Sequence, residues 1–137
     1  MTAFIIGITS GILLILLLLK LKNADKELLY GLTLTGIGFI YIGFTWSDFY
    51  SLLISSLQAL VFLFLAFFGL KRNIYILAIG YFLHGIWDII YSRFDTPGLI
   101  PPQYDVFCLT IDFTIGLYLL YFAKQTGTGY KTGRIQH

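Results

Sequence analysis

His84 and Asp88 stand four residues apart, and Cys108 and Asp112 repeat that spacing further along the chain. Residues i and i+4 share one face of a helix. An imidazole beside two carboxylates is a residue set suited to acid–base chemistry: one group takes a proton, another gives one, and the third orients the imidazole. His84, Asp88 and Asp112 are therefore the candidate catalytic residues. The same set offers one nitrogen and two carboxylates to a divalent cation. That use has less behind it, because the HExxH pattern is absent and the other histidine, His137, falls in the polar C-terminal stretch. No metal ligand is assigned, and the cofactor is left unknown. Cys108 reads as a small buried thiol rather than a nucleophile, since nothing basic other than His84 is placed to activate it. Serine hydrolase chemistry has no nucleophile elbow to support it.

The surroundings of these groups follow from composition. Of 137 residues, 58% are hydrophobic and 12% charged, and mean hydropathy is +0.83. A soluble domain carries about 25% charged residues. So few charges cannot cover a surface in water, so lipid must be the solvent for most of the chain. The net charge of +2 is modest, and no basic run is interleaved with exposed aromatics, which excludes a nucleic-acid partner. A single cysteine forms no internal disulfide and no cysteine-based metal cage.

A hydrocarbon core about 30 Å thick needs roughly 20 apolar residues in helical form. Five segments qualify, at residues 3–21, 27–46, 50–70, 74–93 and 104–124. The expected fold is all-α: an integral membrane bundle of five transmembrane helices forming one domain over residues 1–124, with 125–137 as a flexible cytoplasmic tail. Short connections predict that consecutive helices are antiparallel neighbours. The longest connection holds Pro97, Pro101 and Pro102, which cannot continue a helix. It is expected to be stiff, with Phe94, Leu99 and Ile100 folded back as a partial lid. Lys20, Lys22, Lys26, Lys71, Arg72, Lys124, Lys131 and Arg134 all fall at one end of such a bundle, and Arg93 alone at the other. Basic residues mark the cytoplasmic side, so the N-terminus is expected outside, the C-terminus in the cytoplasm, and the chain in the cell (inner) membrane as a multi-pass protein.

With that orientation the chemistry collects at one depth. At 1.5 Å per residue, His84 lies roughly 13 Å and Asp112 roughly 12 Å below the outer ends of their helices. Asp88 and Cys108 lie roughly 7 Å and 6 Å down by the same rise. His84 is thus level with Asp112, and Asp88 with Cys108. A polar side chain inside a bilayer faces the bundle interior and has a partner, so a polar cavity is expected in the outer half. Its candidate binding residues are Tyr41, Gln58, Tyr81, Trp87, Tyr91 and Cys108, with Thr9 and Ser10 at similar depth. The competing reading is that the polar residues hydrogen-bond between helices and do nothing else, and for Gln58 it is the stronger one. Trp46 and Trp87 also read as interface anchors near the outer headgroups. Gly31, Gly36, Gly38, Gly43, Gly80, Gly85 and Gly116 read as points of close helix approach.

Leu83-His84-Gly85-Ile86-Trp87-Asp88, then a proline-containing loop, then Cys108 and Asp112, resembles an uncharacterised family of small bacterial integral membrane proteins, domain of unknown function number 6010. The resemblance is specific over residues 80–120 and loose elsewhere. It implies a shared fold and a shared polar cluster, and no activity. The family pattern has paired histidines where this chain has Tyr91 and Ser92, a departure that weakens a metal site borrowed from the family.

Three function classes fit these residues. In a membrane-embedded enzyme or binding protein for a lipid-like molecule, His84 and one Asp act as base and acid while the second Asp orients His84. In a small proton-coupled transporter, the three form a protonatable relay. In an accessory or assembly subunit the cluster is purely structural. Expected partners are membrane lipids, a lipid-like or small-molecule ligand, and further copies of the chain or a larger membrane complex.

Overall fold

The computed structural model describes residues 1–23, 25–94 and 98–126. They form α1 (Thr2–Lys20), α2 (Lys26–Thr45), α3 (Phe49–Lys71), α4 (Ile74–Tyr91) and α5 (Tyr104–Thr126). Each is long and apolar enough to cross a membrane. Asp95, Pro97, Lys131, Arg134 and His137 lie outside the described residues.

Helix starts are written locally. Asp25, Asp48 and Asn73 cap α2, α3 and α4, their side chains accepting from the backbone N–H groups of Leu28, Ser51 and Tyr75. These caps satisfy donors that have no partner within the helix. α4 ends at Tyr91, two residues before the expected boundary, where the Ser92 N–H turns back to the carbonyls of Asp88 and Ile90. α5 continues to Thr126, two residues into the stretch expected to be tail.

The helices alternate in direction and leave two unlike ends. One carries the start of α1, the α2–α3 turn and the α4–α5 loop; Thr2 and Ala3 share a surface recess there with Pro101 and Pro102. The other carries Lys20, Lys22, Lys26, Lys71, Arg72 and Lys124. They are called here the loop end and the basic end.

Neighbour relations correct the sequence reading in one respect. α4 packs closely on α5 and α2 on α3, but α1 lies along α5 and barely touches α2. The reason is a small-residue seam. Gly7 and Gly11, one helical turn apart, face Thr110 and Thr114 of α5, and a Cβ at Gly7 would collide with Thr110. In lipid, such seams hold helices together because close backbone approach gains packing that lipid tails cannot match. Gly36 and Gly43, expected at contacts, have nothing within 4 Å of where a Cβ would stand.

α4 is the central helix: 50% of its span is buried, against 22% of α1. Leu34, Leu77, Ile115 and Leu119 are fully buried and fill the basic-end half. Outward faces carry Leu13, Leu17, Phe64 and Leu117, all exposed, as suits contact with acyl chains.

Candidate functional site

α4 presents His84 and Asp88 to the interior on one face, both fully buried, and α5 brings Asp112 against them, 1% exposed. His84 Nδ1 lies 2.8 Å from Asp112 Oδ2 and 3.4 Å from Asp88 Oδ2. The level match of His84 with Asp112 therefore holds as a direct contact. One Nδ1–H serves one carboxylate, and the shorter distance assigns it to Asp112. Asp88 takes its hydrogen bond elsewhere: the Tyr41 hydroxyl of α2 donates to Asp88 Oδ1 at 2.6 Å. Asp88 Oδ2 and His84 Nε2 are buried with no hydrogen-bond partner. The Phe62 ring of α3 stands edge-on to the His84 ring with centroids 4.7 Å apart.

The three residues offer donor atoms within 4.8 Å of one another, a set compact enough for one divalent ion. No further Cys, His, Asp or Glu joins it among the described residues.

The remaining sequence candidates divide. Cys108 is buried as expected. Tyr91 stacks edge-on against Tyr41 at 5.2 Å. Gln58 serves between helices, its Nε2 donating to the Gly38 carbonyl of α2 at 2.5 Å, while its Oε1 is buried and unpaired. Tyr81 lies toward the basic end and donates to the Tyr30 carbonyl at 2.6 Å. Trp87 is half-buried: its ring packs on Tyr91 at 5.7 Å and its indole N–H is buried without a partner. Trp46, 74% exposed at the loop end, suits the anchor role. Thr9 faces outward and bonds back to the Ile5 carbonyl, outside the cluster.

Several groups escaped the sequence reading. Phe44 and Tyr104 close aromatic contacts above Tyr41. Thr45 and Ser55 hydroxyls pair at 3.0 Å across the α2–α3 contact, fully buried. Depth along a helix gives a residue's level but not its rotation about the helix axis, so depth alone did not single these residues out.

A cavity of about 210 Å³ opens at the loop end, with Tyr41 and Asp88 among its walls and Ser92, Pro101, Pro102, Gln103 and Asp105 around it. Of the residues expected to fold back as a lid, Ile100 lines this cavity beside Pro101 and Pro102, Leu99 is not among its walls, and Phe94 is 83% exposed. On the α3–α4 side a second, apolar recess of about 470 Å³ faces outward, with Gln58, Phe62 and Trp87 among its walls.

Fold and site together define a five-helix bundle of membrane-spanning dimensions with a buried His/Asp/Tyr cluster beneath a polar cavity. The chain belongs to the family of unknown function DUF6010, whose model matches residues 2–125. That match extends well beyond the 80–120 stretch where the resemblance is most specific. No curated protein matches the chain, and no solved structure matches it.

Proposed function

We propose that this chain is a multi-pass protein of the cell (inner) membrane that carries out acid–base chemistry on, or binds, a lipid-like molecule at His84, Asp88 and Asp112. One observation carries the reading: the three side chains meet, buried, beside a cavity at the loop end that has Asp88 in its wall. Asp112 accepts from His84 Nδ1 and so leaves Nε2 as the basic atom, the arrangement by which a carboxylate orients a general base. Asp88, held by Tyr41, is the acid in the cavity wall. The charge asymmetry between the two ends supports an N-terminus outside and a C-terminus in the cytoplasm, which puts the cavity on the outer side.

A proton-coupled transporter is the alternative, and the packing argues against it. Toward the basic end Leu34, Leu77, Ile115 and Leu119 are all fully buried, and the Tyr81 hydroxyl is committed to a backbone carbonyl. A relay needs stations along its path.

The test uses Asp88→Asn, Asp112→Asn and His84→Gln. A neutral amide costs less inside a membrane than a charge, so these variants are expected to fold with unchanged or higher melting temperature in detergent. They are also expected not to complement a deletion strain. Stable variants that complement fully leave the cluster a purely structural role and end the proposal.

A further inference from the structure

The recess between α3 and α4 is lined almost wholly by apolar groups. Leu57, Val61, Leu83 and Ile86 line it, and Gln58 and Trp87 stand among them. Gln58 is 5% exposed and its Nε2 is already used on the Gly38 carbonyl, which leaves Oε1 as a buried acceptor with no donor. Trp87 Nε1–H is a buried donor with no acceptor. Phe62 faces His84 across the α3–α4 contact. The two helices are antiparallel, so one turn back along α3 from Phe62 and about one turn on along α4 from His84 reach the same level. Gln58 and Trp87 stand at that level, on the two walls of one recess.

An unpaired donor and an unpaired acceptor in a lipid-facing recess are both costly, because the hydrocarbon around them supplies no partner. Acyl chains leave both unpaired. An ester carbonyl accepts from the indole N–H but donates nothing to Gln58. A hydroxyl does both at once, as donor and as acceptor. We propose that the α3–α4 recess is a binding site for a long-chain alcohol entering sideways from the membrane, its hydroxyl held between Trp87 Nε1 and Gln58 Oε1 and its chain along the apolar walls. The site gives the lipid-like molecule of the proposed function a substrate class: a hydroxyl-bearing lipid, seated one helical turn from His84 and separated from it by the Phe62 ring. It rests on that reading only for its connection to the cluster. Binding here is measured without turnover, so its failure leaves the acid–base proposal standing with the loop-end cavity as the entry.

The chain has two tryptophans, so Trp46→Phe leaves Trp87 as the only indole. In vesicles of phosphatidylcholine, a brominated long-chain alcohol at a few mole per cent is compared with phosphatidylcholine brominated on its acyl chain, at equal bromine content. The alcohol is expected to quench Trp87 several-fold more strongly. Its methyl ether, which accepts but cannot donate, is expected to lose that advantage on the same protein. Gln58→Leu is expected to lose it as well. Equal quenching by alcohol and phospholipid means that the recess holds bulk acyl chains and overturns the proposal. An ether that quenches as well as the alcohol overturns the role of Gln58, and with it the hydroxyl assignment. The ether comparison needs no variant of Gln58 and stands whether or not Gln58→Leu folds.

Discussion

The two halves of the bundle use the same bond for different ends. Near the loop end Tyr41 of α2 reaches across to α4, and near the basic end Tyr81 of α4 reaches back to α2, each hydroxyl donating over 2.6 Å. These two bonds tie together helices that are not sequence neighbours. Tyr81 meets a backbone carbonyl, in a half filled by Leu34, Leu77, Ile115 and Leu119, and the result is an interhelical tie with no charge in it. Tyr41 meets a carboxylate that sits beside an imidazole, a second carboxylate and a cavity. A structural tie needs neither a titratable acceptor nor access from outside. The loop-end half has both, and that difference separates a site from ordinary interhelical polar packing.

The comparison is most exposed to change where a glycine of the apolar half meets backbone. A Cβ at Gly69 would stand 2.9 Å from the Cβ and backbone nitrogen of Leu77, and backbone cannot yield as a side chain does. Gly69→Ala should destabilise the fold by about 2–3 kcal/mol, the upper range for overpacking, read as a lowered melting temperature in detergent. An unchanged melting temperature would show that the basic-end half is not the stability centre taken here.

The paired tyrosines give the sharpest contrast. Tyr81→Phe should cost about 1 kcal/mol, the net worth of a neutral hydrogen bond, while complementation of a deletion strain persists. Tyr41→Phe should fold but fail to complement, because Asp88 loses the hydrogen bond that positions it. If both variants complement equally, the two halves do not differ in function.

A smaller effect is expected at the glycines. Gly43 has no neighbour within 4 Å of a Cβ position, so Gly43→Ala should stabilise by up to about 1 kcal/mol through helix propensity alone. A loss of stability would reveal a contact at that face.

The smallest effect is at the α2–α3 turn. The side chain and backbone N–H of Ser51 hold the Asp48 carboxyl below its usual pKa of 3.8. A lowered folded-state value contributes stability that is present above pH 3.8 and is lost as pH falls through the folded value. Asp48→Ala should speed hydrogen exchange at the Ser51 amide and leave global melting unchanged, and acidification of the wild type should reproduce that fraying.

Much of the fold was legible because its causes are local. Each helix is a long apolar run, and in lipid the backbone must satisfy its own hydrogen bonds, which makes a helix the outcome of such a run. The His84–Asp112 contact was also legible, because two helices joined by one loop must run antiparallel and a 1.5 Å rise then sets which residues are level. The α1–α5 pairing was not inferred, although Gly7 and Gly11 carried a signal for close approach. Small residues announce a seam without naming the partner.

The sequence by itself determined five membrane-length helices, the capped starts of α2, α3 and α4, two ends of unlike charge and the depth of each polar side chain, since all of these depend on residues near one another in the chain. Tertiary structure decided which carboxylate takes the His84 proton, that Tyr41 rather than Cys108 hydrogen-bonds to Asp88, and that Tyr81 ties helices together instead of joining the cluster. Those outcomes depend on the rotation of each helix about its own axis. Packing against neighbours far away in sequence sets that rotation, and hydrophobicity cannot set it when every face of a helix is apolar.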